Sequence, residues 1–149
     1  MSQHIRIPVC IIGAGPGGAA TALFLAKVGI ESIIVDKASF PRDKICGDAL
    51  SGKVVEVLNR YDPKLVEGLD SGKAFLPSWG VVFVAPNQES LSVPFRKDYA
   101  SRNGKETAPG FIARRMDFDY FMVEEVKKRK EVKLLENTAI TGFEKTPEG

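Results

Sequence analysis

Histidine and cysteine are scarce in this 149-residue chain, which holds one His and two Cys. With His4 the only imidazole, a Ser-His-Asp grouping is excluded. His4, Cys10 and Cys46 lie too far apart in sequence to suggest a metal-ligand cluster. Two cysteines cannot build a disulfide framework, which fits a reducing compartment. Long hydrophobic runs are also missing, since no stretch reaches the roughly 20 apolar residues needed to span a bilayer. The first six residues lead straight into a strand-like stretch, without the pattern of a signal peptide. Nor is there an excess of one charge. The 21 basic and 19 acidic residues leave a net +2, too little to argue for nucleic acid or an anionic membrane. The expectation is a cytoplasmic protein with no nucleic-acid partner and no transmembrane segment. The run Lys127-Lys128-Arg129-Lys130 reads as a solvated helix end, with peripheral membrane contact left open. Oligomeric state is left open as well.

What is present is an ordinary globular balance, 44% hydrophobic and 27% charged. Residues 5–12 are rich in β-branched side chains and stop at a glycine cluster, as a buried parallel strand does. Cys10 is expected to be buried in that strand. Residues 16–28 are Ala-rich, with Pro16 near the start and Gly29 just past the end, the asymmetry of a helix. Residues 30–35 form a second apolar run ending at Asp36. Strand, helix and strand in about 30 residues make a βαβ unit.

After Asp36 the pattern changes. Residues 38–47 read as a loop and residues 50–61 as a short amphipathic helix, broken at Asp62-Pro63. Residues 80–85 and 90–95 read as two strands of a hairpin, with Pro94 at an edge or strand end. Trp79, Phe83 and Phe95 are expected in sheet core; if the antiparallel segment starts a substrate domain, some of them would face an apolar substrate. Residues 97–109 read as an exposed loop and residues 110–114 as a strand. Residues 117–130 have a helical apolar face (Phe118, Phe121, Met122, Val126), with Asp117 as the expected cap. Strands are expected at 132–135 and 138–145. The predicted class is α/β, a Rossmann-like parallel sheet with an antiparallel insertion.

The strongest motif is Gly13-Ala14-Gly15-Pro16-Gly17-Gly18, a G-x-G-x-x-G that follows a predicted strand and opens a predicted helix. Gly13 permits the tight turn, Gly15 lets a pyrophosphate approach the backbone, and Gly18 lets helix and strand pack closely. Ala22, one turn later, keeps that contact small. The helix N-terminus offers free N–H groups and partial positive charge to phosphate. Asp36, 18 residues past Gly18, is placed to accept from a ribose diol, and its charge disfavours a 2′-phosphate. Spacing alone does not choose between FAD and NAD.

The stretch Phe40-Pro41-Arg42-Asp43-Lys44-Ile45-Cys46-Gly47 follows the ribose-binding strand and can lie along an extended cofactor. Arg42 and Lys44 suit phosphate, and Gly47 permits close backbone approach. Taken with the fingerprint and Asp36, this P-R-x-K-x-C-G resembles the geranylgeranyl reductase family. That family sits within the FAD-dependent oxidoreductases and monooxygenases related to para-hydroxybenzoate hydroxylase. Arg115-Met116-Asp117-Phe118-Asp119 resembles the R-x-x-F-D that opens a helix there, and the segment around Asn137-Thr138-Ala139-Ile140 resembles its adenine-side wall.

The resemblance implies FAD as cofactor, with NAD(P)H as an electron donor. It implies Gly13, Gly15 and Gly18, with Pro16 and Gly17, at the pyrophosphate. Asp36 would take the ribose, with Lys37 beside it. Arg42, Cys46 and Gly47 would lie along the middle or flavin end, Arg115 at the ribityl–phosphate region, and the backbone at Ala139 at the adenine. Gly47-Asp48-Ala49 looks like the family's second flavin motif but stands too early, so that motif is read as absent. Cys46 has three readings: a tuning group near the flavin, a redox thiol, or a small packing residue.

Three functions compete. One is an FAD-dependent oxidoreductase acting on an apolar or aromatic small molecule, either as an isoprenoid reductase or as a monooxygenase or halogenase. The second is an NAD-binding domain, and the third a non-catalytic dinucleotide-binding fragment. Residues 1–71 and 110–149 are expected to form an incomplete dinucleotide-binding domain, and residues 72–109 the start of a substrate domain. The chain is expected to be the opening third or so of a longer flavoprotein.

Overall fold

The computed structural model describes residues 5–46, 48–95 and 107–145. In chain order its elements are β1 (Val9–Ile12), α1 (Pro16–Lys27), β2 (Ser32–Val35), β3 (Ala49–Leu50), α2 (Gly52–Tyr61), α3 (Pro63–Ser71), β4 (Leu76–Ser78), β5 (Gly80–Val84), β6 (Ser90–Pro94), β7 (Gly110–Ile112), α4 (Arg115–Lys127) and β8 (Val132–Leu135). The chain divides into two compact units, residues 1–44 with 116–149, and residues 45–115.

The first unit carries the expected βαβ start. Its sheet is parallel with order β1-β2-β8, and Ile11 pairs with Ile34 while Ile34 pairs with Leu134. Pro16 opens α1 because its fixed φ suits a first turn and its missing N–H costs nothing there. Gly29, with φ +74°, closes the helix in the left-handed conformation. Ile11 and Ile34 share one sheet face and are buried, as are Ala19, Ala22 and Leu23 of α1.

The other face departs from expectation. Ile33 and Val35 are buried there, yet their β1 neighbours Cys10 and Ile12 are exposed, Ile12 at 55%. Cys10 is therefore not a core residue. β1 is an edge of the sheet among the described residues, and cover on that face ends at β2. The expected strand at 138–145 is also missing. Asn137 takes a left-handed φ of +51°, and Ile140 and Phe143 are exposed. A strand needs a hydrogen-bonded neighbour, and none of the described strands pairs with these residues. Helix α4 starts at Arg115, two residues earlier than expected, so Asp117 sits in its first turn instead of capping it.

Ser32 is fully buried at the start of β2, and its hydroxyl has no hydrogen-bond partner among the described residues. Removing an unpartnered buried hydroxyl relieves its desolvation cost. Ser32→Ala is thus expected to hold or raise stability, within about 1 kcal/mol. A loss of more than ~2 kcal/mol on urea denaturation would contradict this.

In the second unit, β3, β7 and β4 form an antiparallel sheet in which Leu50 pairs with Phe111 and Pro77 with Phe111 on its other side. Leu50 therefore lies in a strand, and the helix expected from residue 50 begins at Gly52. Asp62-Pro63 does break the chain, but a further helix follows. The Asp62 side chain accepts the Lys64 N–H at 3.0 Å and caps α3. The hairpin of β5 and β6 forms as predicted, with Pro94 at its end. Trp79, Phe83 and Phe95 are exposed, contrary to expectation. Among the described residues the two-stranded β5–β6 sheet makes no further strand pairs, and its strand residues are mostly exposed. The predicted loop at 97–109 falls largely, and His4 and Gly47 wholly, outside the described residues.

The second unit closes near its own entry. Asp48, at φ +52°, accepts the Ala113 N–H on its carbonyl at 2.8 Å and the Arg115 N–H on Oδ1 at 3.3 Å.

Candidate functional site

The glycine turn between β1 and α1 is built as the motif requires. Gly13 has φ +95°, a conformation that L side chains rarely adopt, and its N–H donates to the Val35 carbonyl at 2.7 Å. A Cβ on Gly18 would fall inside the Gly13 carbonyl oxygen and lie 3.3 Å from Ile11 Cγ2. The α1 N-terminus therefore crosses directly over the turn. Gly15 is the helix cap and supplies no side-chain acceptor. The first-turn amides have no capping side chain, which suits an anion.

Asp36, at the end of β2, is 7% exposed. Its Oδ2 accepts the Ala14 N–H at 2.8 Å and its Oδ1 accepts the Ala38 N–H at 2.9 Å. The carboxylate thus ties the fingerprint turn to the loop that follows β2. Each oxygen retains a second lone pair, so a diol can still donate to it. Lys37 beside it is exposed. The Thr138 N–H donates to the Asp36 carbonyl at 2.9 Å and the Asn137 N–H to that of Ala38 at 3.2 Å. These two bonds bring the chain leading to Ala139 alongside Asp36.

Arg42 lies against the same turn. Its Nη2 stands 3.4 Å from the position a Cβ would take on Gly15, and its Nη1 is 3.3 Å from Asp119 Oδ2. The guanidinium carbon sits 5.0 Å from the centroid of the Phe40 ring. The Phe40 N–H donates to Glu136 Oε1 at 2.7 Å, which fixes the start of this loop. Glu136 also lies 3.8 Å from Lys127 Nζ. The Lys127 ammonium is raised above the ordinary lysine range, chiefly by its hydrogen bond to Glu124.

The first unit therefore gathers Gly13, Gly15, Pro16, Gly17, Gly18, Asp36, Arg42 and the approach to Ala139. Cys46 and Arg115 belong to the second unit, and Cys46 is exposed. Glu136 was not singled out from sequence, and Asp119 and Asp48 were noted only as members of the R-x-x-F-D and G-D-A stretches, without the contacts they make here. Asp119 could have been flagged as an acid on the buried face of a helix that also carries Phe118, Met122 and Val126. Glu136 and Asp48 bond across long sequence separations, to Phe40 and Arg115, and those contacts left no local signal.

Residues 6–61 match a family model described as FAD binding domain. Menaquinone reductase of Mycolicibacterium smegmatis is 47% identical over 58 residues, covering 39% of this chain and 14% of the relative. Digeranylgeranylglycerophospholipid reductase of Methanococcus vannielii is 27% identical over 146 residues, covering 95% of this chain and 31% of the relative. The solved flavin-dependent halogenase CmlS superposes with TM-score 0.72 at 24% identity, covering 94% of this chain and 24% of its own, a likeness of fold. The chain thus spans well under half the length of these proteins. The strand, glycine turn and helix of residues 9–27 thus lie inside the match to an FAD binding domain, and the chain is similar in sequence to reductases and in fold to a flavin-dependent halogenase.

Proposed function

We propose that this chain is the N-terminal portion of an FAD-dependent reductase of the geranylgeranyl reductase type, acting on an isoprenoid or similar apolar substrate with NAD(P)H as electron donor. The observation that carries the reading is the glycine turn, where Gly13, Gly18 and the uncapped α1 N-terminus meet the Asp36 carboxylate. These residues fit a dinucleotide. The N-terminal amides suit its pyrophosphate and Asp36 its ribose hydroxyls, while Arg42 adds a cation beside the phosphates. The backbone near Ala139 would flank the adenine. FAD, when bound, would supply hydride transfer, and the chain's own part is to hold and orient it.

Two observations favour a reductase with an apolar substrate. The relative matched along 95% of this chain is named a lipid reductase. The β5–β6 hairpin, inside the 72–109 segment proposed as the start of a substrate domain, exposes Val82, Phe83 and Leu91. The halogenase likeness supports a second reading, a monooxygenase or halogenase on the same cofactor domain.

The deciding experiment uses the full-length protein. Purified protein should carry flavin absorbance and oxidise NAD(P)H only when an isoprenoid alkene is supplied. Oxygen-dependent hydroxylation or halogenation would select the second reading. Colourless protein that gains no stability from added FAD would sink both.

A further inference from the structure

We infer that Asp119 is a positioning residue that aims Arg42 at the phosphate-binding turn, an inference that rests on the dinucleotide reading above. Asp119 lies on α4 and is fully buried, and its Oδ2 is 3.3 Å from Arg42 Nη1. The Arg42 side chain is only 19% exposed. Its two terminal nitrogens face different ways. Nη1 meets the carboxylate, while Nη2 lies next to Gly15, 3.4 Å from where a Cβ would stand. The Phe40 ring lies 5.0 Å from the guanidinium carbon, and the Phe40 N–H is itself held by Glu136.

A guanidinium is a rigid planar fork, so fixing one prong and the plane fixes the other prong. A free arginine at this position would lose side-chain entropy on gripping a phosphate. One anchored by a buried carboxylate has lost it already. The pairing also exacts a penalty, because the Asp119 charge opposes an arriving anion. The positioning role predicts that geometry outweighs this repulsion. A purely structural ion pair between α4 and the loop predicts the reverse, since neutralising Asp119 would free the full charge of Arg42 for the phosphate.

The test compares ADP with adenosine, which differ only by the diphosphate, by calorimetric titration of the full-length protein stripped of flavin. Asp119→Asn is expected to weaken ADP about tenfold and leave adenosine unchanged, as for loss of one charge-assisted hydrogen bond. Arg42→Ala should weaken ADP by at least as much, and adding D119N to R42A should change nothing further. Should D119N alone fail to fold, R42A and the R42A/D119N pair still decide. ADP affinity unchanged in R42A, or lowered further by D119N in that background, overturns the inference. So does D119N binding ADP as tightly as wild type or more tightly, or weakening adenosine equally. Wild-type protein that binds neither ADP nor FAD would overturn the dinucleotide reading itself and the inference with it.

Discussion

Replacing Gly18 with alanine is expected to destabilise the protein by about 3 kcal/mol, at the upper end for overpacking. The added methyl has nowhere to go. It would overlap the Gly13 carbonyl oxygen and lie 3.0 Å from the carbonyl carbon, and both are backbone atoms that cannot rotate aside. Either α1 lifts from the turn or the turn flattens, and both move the N-terminal amides that are proposed to receive the phosphates. ADP affinity should therefore fall by at least about tenfold, equivalent to ~1.4 kcal/mol. Gly17→Ala is the control. Beyond its chain neighbours and its own helix backbone, nothing lies within 4 Å of its added Cβ, so its stability should rise by about 0.5–1 kcal/mol through helix propensity. Urea denaturation of both variants checks the contrast. Equal stabilities would mean that the helix does not cross the turn so closely.

Asp36→Ala is expected to lower stability by about 2–4 kcal/mol. Its carboxylate accepts two backbone N–H groups, from Ala14 and Ala38, that are 24 positions apart in sequence and belong to the turn and the following loop. Losing it strands two donors in a site where Asp36 itself is nearly buried. Asp36→Asn should fall between, because an amide can accept only one of the two bonds and sets its own NH₂ against the other donor. Both variants should also weaken adenosine, the half of the cofactor that carries the ribose. Unchanged unfolding free energy in Asp36→Ala would refute the structural part of this account. Unchanged adenosine affinity would remove Asp36 from the ribose site.

The parts legible in sequence were those with local causes. Gly13 through Gly18 and Asp36 announce themselves by spacing, and Pro16 and Gly29 mark both ends of α1. The hairpin of β5 and β6 shows in its alternation. What escaped depends on distant partners. Cys10 and Ile12 look like core because β1 is apolar throughout, but burial depends on what covers that face. Residues 138–145 have strand-forming composition, yet pairing decides. The fully buried Asp119 lies in a motif that its neighbours Arg115 and Phe118 made conspicuous. Its contact with Arg42, 77 positions away, has no sequence signature.

The Asp48 closure has a consequence for how such a protein can vary. Leu50 pairs with Phe111, and Asp48 holds the Ala113 and Arg115 amides, so the excursion from Ile45 to Arg115 begins and ends on one clasp. Once the ends of a loop are joined, each doubling of the intervening length costs only about 0.6 kcal/mol of closure entropy. Insertions in an exposed turn between the clasped ends, such as that joining β5 and β6, are therefore expected to cost little, while the glycine turn, Asp36 and Arg42 lie outside this segment. The clasp thus lets the two ends of the second unit meet by bonds of that unit alone, independently of the glycine turn.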